Sequence, residues 1–212
     1  MHYIKKLISE GEHQMLDFKF EISDSRKIAR TLVAFANTEG GRLLIGVKDN
    51  GTLAGVRSEE EAYMAEGAAS LHCRPEVPIA IKEWKVDGRI ILEIKVEPGE
   101  DKPYHAPDTE GRWKAYIRQD DENYPASRVE VQVWKRQRED SGTMVRYREE
   151  ESILLNYLER HGQISIGKFR ELAGINWKKA EAILVNFILL GFIYLRHEGE
   201  HVIFYLREPG TY

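Results

Sequence analysis

The chain has 212 residues, 42% hydrophobic and 31% charged, with a formal net charge of −4. That range fits one large domain or two small ones, folded and soluble rather than disordered. One cysteine, Cys73, excludes an internal disulfide framework and fits a reducing cytosol. The negative net charge excludes a global basic field, so any nucleic-acid contact must use a local patch. The longest nearly apolar run, Ile183 to Leu195, is interrupted by Asn186 and Gly191 and falls short of the roughly 20 residues of a membrane span. The N-terminus, MHYIKKLISEGE, carries no apolar signal core. A cytoplasmic protein without membrane contact is expected.

In chain order, residues 2–10 read as a short amphipathic helix closed by Gly11. In the segment QMLDFKF, Leu16, Phe18 and Phe20 alternate with Met15, Asp17 and Lys19, which places Asp17 and Lys19 on one strand face and the apolar three on the other. The stretch EISDSRKIARTLVAFANTEGG predicts a helix started by Asp24 or Ser25 and stopped by Gly40-Gly41, with Ile28, Leu32, Phe35 and Ala36 inward. RLLIGV, apolar on both faces, predicts a central strand, and Asn50-Gly51 a tight turn into TLAGV. Residues 58–72 look helical. IAIKEWKV and RIILEIKVE are strands joined at Asp87-Gly88. KPYHAPDTEGR is a polar loop, and WKAYIRQ a strand. From Pro125 to Arg138 the alternating Val129, Val131 and Val133 compete with a first-turn proline and a charged tail, and helix is adopted. The composition near residue 142 is that of a linker.

The last 70 residues change character. Residues 148–160 form a helix with Ile153, Leu154, Tyr157 and Leu158 inward; a second runs from the capping Ser165 to Gly174, and a third from Asn176 to Gly191. A hairpin turning at Glu198-Gly199 follows. Three helices with a three-residue turn between the second and third, then a hairpin, describe a winged helix-turn-helix.

Four ordered pieces resemble a known family: GEHQMLDFKF, AFANTEGGRLLIGVKDNGTLAGV, KPYHAP followed by WKAYIR, and PASRVEV. Together they are similar to the Schlafen-type AlbA-like domain, once catalogued as a divergent AAA domain, over about residues 8–138. The resemblance implies an α+β fold with a mixed sheet and helices over residues 1–140, followed here by the winged helix-turn-helix over 145–212. It also implies a bacterial DNA-binding regulator of transcription. Animal Schlafen proteins use the same domain as a metal-dependent RNase, and by resemblance that carboxylate trio falls on Glu12, Asp17 and Asp49. Hard oxygen ligands of this kind suit Mg2+ or Mn2+. Most of the family carries Glu where this chain has Asp17, which shortens that ligand by one methylene. The competing account makes these three solvated carboxylates at strand ends.

Lys19 and Arg118 are the cations best placed to face a phosphate; the alternative is a surface ion pair, with Asp17 among the partners. Asn37, Thr38 and Glu39 before Gly40-Gly41 form either a phosphate nest or, more simply, a helix cap. GQISIGKF fits seven positions of a P-loop, but Phe169 stands where Ser or Thr must bind Mg2+, so no Walker-type ATP site is expected. His72-Cys73 lacks a second pair at zinc spacing. In the winged helix, Trp177, Lys178 and Lys179 open the third helix, where a recognition helix meets DNA. Arg196 lies on the wing beside Glu198 and Glu200, which repel phosphate. The third helix is unusually apolar, with Ile183, Leu184, Phe187, Ile188 and Leu190, a surplus that suggests burial against a second copy and hence a homodimer. The favoured function is DNA or RNA binding in transcription regulation, with no cofactor required. A metal-dependent endoribonuclease and a protein-interaction scaffold are the alternatives.

Overall fold

The computed structural model describes residues 2–58, 60–139 and 148–207; the linker expected near residue 142 lies outside them. The chain divides into two compact units between Ala126 and Ser127. Seven helices and ten strands are formed among the described residues, an α+β protein with mixed sheets. None of its described helices is long and apolar enough to cross a membrane.

The first unit is built on a four-stranded sheet in the order β1 (Leu16–Lys19), β2 (Gly41–Ile45), β4 (Arg89–Val96), β3 (Ile79–Val86). β1 runs parallel to β2, and β2 and β3 run antiparallel to β4. One sheet face packs Leu43, Ile45, Leu92 and Ile94 against α2 (Ser25–Asn37) and α3 (Glu60–Leu71). The other packs Leu16, Phe18, Leu44 and Ile91 against Ile4 of α1 (Tyr3–Glu10). β2 is therefore central and covered on both sides, as its unbroken apolar run requires. Helix α2 starts at Asp24, whose carboxylate accepts from the Arg26 N–H. Its stop is tight for a steric reason. Gly40 sits at φ +77°, and a Cβ there would lie 2.6 Å from the Val96 carbonyl oxygen.

A second, three-stranded sheet, β5 (His105–Pro107), β6 (Trp113–Gln119), β7 (Glu122–Pro125), packs on α2 through Tyr104, Ala106 and Tyr116. Two of its strands differ from expectation. His105–Pro107 lies in the stretch assigned to a polar loop, and Pro125 ends β7 instead of opening a helix. Strands of three or four residues are too short to show a period of two, and only pairing with β6 reveals them. Cys73 is buried beneath α2, its Sγ 3.3 Å from the Ala68 carbonyl oxygen.

The second unit begins with α4 (Arg128–Arg138), opened by a capping box in which Ser127 and Glu130 satisfy each other's backbone N–H groups. The sequence placed this helix with the first domain, ending that domain near residue 140. In the fold Val129 and Val133 enter the core formed by α5 (Glu149–His161), α6 (Ile166–Ala173) and α7 (Trp177–Leu189). A three-stranded antiparallel sheet completes the unit: β8 (Gln163–Ser165), β10 (His201–Leu206), β9 (Ile193–Glu198). β8 is a further strand too short to be read from sequence. Ser165 caps α6, Asn176 caps α7, and Gly174 stops α6 in the left-handed conformation. Phe169, the residue that ruled out a P-loop, is fully buried.

Candidate nucleic-acid interface

Asp17 and Lys19 do share one face of β1, but that face is not open. Asp17 pairs in register with Leu43, on the side covered by α2, and is 2% exposed. The charge is met from two directions. Lys19 Nζ lies 3.0 Å from Asp17 Oδ1, and Arg118 Nη2 lies 3.5 Å from the same oxygen. Arg118, from β6, is itself only 3% exposed. Its guanidinium donates to the carbonyls of His13 and Leu16 and to Asn123 Oδ1, and lies 5.5 Å from the Phe35 ring centre. The two cations matched by sequence to phosphate are thus drawn to the carboxylate beside them. The alternation is right, but one strand cannot tell whether its polar face is later covered.

Glu12 completes the group. Its Oε1 accepts from the Phe18 N–H at 2.8 Å and lies 3.9 Å from Lys19 Nζ. Burial and then hydrogen bonding with Asp17 push its carboxyl up to about 7. Asp17 Oδ2 is buried without a hydrogen-bond partner.

A divalent ion would need deprotonated carboxylates with free oxygens. Here Oδ1 of Asp17 is shared by two cations, and Oε1 of Glu12 is taken by the Phe18 N–H. Asp49 is exposed at the turn after β2, and no group of three or more His, Cys, Asp or Glu side chains among the described residues is arranged to hold a metal. The residues present do not fit Mg2+ or Mn2+ in this arrangement.

The turn before β2 is structural. Asn37 is buried, its amide donating to the Tyr104 and Tyr116 carbonyls and its oxygen accepting from the Tyr104 N–H. Lys102 Nζ donates to the Thr38 carbonyl at 3.0 Å. Those bonds fasten α2 to the second sheet and leave no cradle for a phosphate.

In the second unit the residues expected at the start of α7 separate. Trp177 is 49% exposed, with the Arg170 guanidinium 4.1 Å from its ring centre. Lys178 is exposed, whereas Lys179 is ion-paired with Glu150 of α5. That contact holds the Glu150 carboxyl below its usual range. Arg196 is exposed on β9. The apolar surplus on α7 is largely consumed within the unit: Ile183, Leu184, Val185 and Phe187 are buried in the core that α4 joins. Leu190 and the following Phe192 remain exposed, and this burial gives the expected homodimer no support. Sequence reasoning missed the role of α4, which brings Gln132 and Arg136 beside Lys178, Glu181 and Asn186 around a hollow of about 240 Å³. Its three basic residues in the last turn, Lys135, Arg136 and Arg138, were a signal once the helix is placed in this unit.

The family model for Schlafen, AlbA_2 matches residues 12–127. Among solved structures, the chain is similar to the DIP2311 protein from Corynebacterium diphtheriae at 21% identity and a TM-score of 0.46, over 69% of this chain and 35% of that one. It thus spans about a third of that relative's length. The N-terminal domain of a RecG-related protein from Nitrosomonas europaea matches at 19% identity and a TM-score of 0.39, over 60% of this chain and 94% of that domain. No curated protein matches the chain.

Proposed function

The chain belongs to the Schlafen AlbA_2 family, and from that premise we propose that it is a nucleic-acid-binding protein that regulates transcription by occupying DNA, without cutting it. The second unit is read as a winged helix-turn-helix: α6 and α7 are the helix pair, and β9–β10 the wing. The observation that carries this is the uneven covering of α7. Its middle is buried by α4 and the core, while its amino end presents Trp177 and Lys178 to solvent. The amino end is where a recognition helix meets base edges and phosphates, and where the helix dipole favours an anion. The misfit between the Glu12–Asp17 pair and a metal ion supports binding over cleavage.

The test is the salt dependence of duplex DNA binding by the full chain. Lys178→Ala should reduce the slope of log K against log salt by about 0.9, the value for one neutralised phosphate. Lys179→Ala should change it far less, because that cation is already committed to Glu150. An unchanged slope in the Lys178 variant would remove α7 from the interface.

A further inference from the structure

The segment GVKDNGTLAGV does more than turn the chain. Gly46, at φ +93°, and Gly55, at φ +81°, press together so closely that a Cβ on Gly46 would lie 2.9 Å from the Gly55 carbonyl carbon. The returning segment is then fastened to β4: the Val56 N–H donates to the Ile90 carbonyl at 2.8 Å, and Arg89 Nη1 to the Ala54 carbonyl at 2.6 Å. The result is a rigid wall beside the end of β1, enclosing a hollow of about 370 Å³.

Three cations line this hollow, Lys48, Arg57 and Arg89, together with one aromatic ring, Phe20. Phe20 is 37% exposed. Lys48 Nζ and the Arg57 guanidinium each lie 5.6 Å from its ring centre. One ring therefore gathers two like charges that would otherwise repel. The acids nearby offset them only in part. Glu21 reaches Arg57 Nη1 at 3.7 Å; Glu61 is buried and turned to the Arg57 N–H; Asp49 is exposed at the tip and does not line the hollow. Lys48 and Arg89 form no ion pair among the described residues. A second cationic hollow of the unit is more fully compensated: there Arg42 is paired with Glu93 and Lys95 with Glu97, and Lys82 alone forms no ion pair among the described residues, its Nζ 3.9 Å from the Trp84 ring centre.

Converging cations on a rigid wall, two of them uncompensated, with an exposed aromatic ring are what an electron-rich phosphate ester with an attached base requires. We propose that Phe20, Lys48, Arg57 and Arg89 form a phosphate-binding site for single-stranded nucleic acid, separate from α7. It rests on the nucleic-acid function above only in taking a polynucleotide as the source of the phosphate.

The experiment measures binding of the full chain to a fluorescein-labelled single-stranded oligonucleotide and to a labelled nucleoside triphosphate. It compares wild type with Lys48→Ala/Arg57→Ala and with Phe20→Leu. The double variant should bind the oligonucleotide about tenfold more weakly, and its salt slope should fall by about 0.7 for each phosphate no longer neutralised. Phe20→Leu should weaken binding in the same direction with the slope kept, since the charges remain but lack the ring. Weakened triphosphate binding with oligonucleotide binding unchanged would overturn the polynucleotide and assign the site to a free nucleotide. Unchanged binding of both probes would overturn the proposal altogether. Duplex binding through α7, read by the Lys178 variant, should be untouched by the pocket changes, so either conclusion can fail while the other stands. The changed side chains are exposed or partly exposed, and an unaltered melting temperature certifies that each variant is folded.

Discussion

In the first unit two buried charges of opposite sign meet at the joint of two sheets. Asp17 comes from β1 and Arg118 from β6, and both are almost completely buried. In the second, the His197 ring of β9 lies 3.1 Å from the Glu130 carboxylate of α4. There the same carboxylate caps its own helix by accepting from the Ser127 N–H. Each unit mixes paired and unpaired exposed cations. Lys48 and Arg89 near Phe20 and Lys178 at the start of α7 form no ion pair among the described residues, whereas Lys95 pairs with Glu97, Lys179 with Glu150 and Lys168 with Glu171. A net charge of −4 hides both arrangements. What decides whether a cation is available to a ligand is the element packed beside it.

Removing the Arg118 guanidinium should produce the largest effect. Arg118→Met strands a buried carboxylate, and breaking such a pair costs about 3–5 kcal/mol. Urea denaturation should show this, with much of the loss recovered in Asp17→Asn/Arg118→Met. If the double change is no better than the single, Lys19 alone is neutralising Asp17. The matching change in the second unit is smaller. Glu130→Ala removes the capping box and should cost about 1–2 kcal/mol, leaving His197 to rehydrate beside a loosened α4. A cost as large as that of Arg118→Met would erase the contrast between the units.

Glu12 sharpens the comparison through pH. Its carboxyl is raised by burial, so the folded state binds more protons than the unfolded one. The stabilisation is complete below the ordinary Glu range and is lost as pH rises through about 7. Glu12→Gln mimics the protonated form and keeps an acceptor for the Phe18 N–H. Relative to wild type it should gain about 1 kcal/mol by pH 8, a figure reduced from the full linkage value for solvent reaching the carboxyl. The two should converge near the ordinary Glu value of about 4.3. Parallel stability curves across that window would place the proton elsewhere. The smallest effect is expected at Asp49. Exposed at the turn, Asp49→Asn should shift the unfolding free energy by a few tenths of a kcal/mol, and a larger loss would give that carboxylate a partner.

Much of the fold could be read locally. The caps at Asp24, Ser165 and Asn176, the stops at Gly11 and Gly174, and the turn at Asp87-Gly88 depend on residues within one turn of each other, and the structure forms them all. What escaped was long-range. β5, β7 and β8 are strands only because a partner lies alongside, and α4 joins the second unit because Val129 and Val133 find its core. The site shows the same division. The alternation in QMLDFKF correctly groups Asp17 with Lys19, but Arg118, about a hundred residues away, determines that this face is closed. Phe20 carried a signal of its own, as the one aromatic on β1's trailing end; its meaning depended on where Lys48 and Arg57 came to lie.

The placement of Cys73 has a practical consequence. Its thiol lies beneath α2, and burial, with the charge of Glu76 added, pushes it up to about 12. Thiolate is the form that reacts with alkylating reagents, so this one is silent while α2 and α3 remain packed. No other cysteine exists in the chain. Its rate of alkylation in native buffer therefore counts the openings of the first unit alone, with no contribution from the second. The chain carries a built-in clock for one of its two halves, which can be read while the other half is melted or mutated.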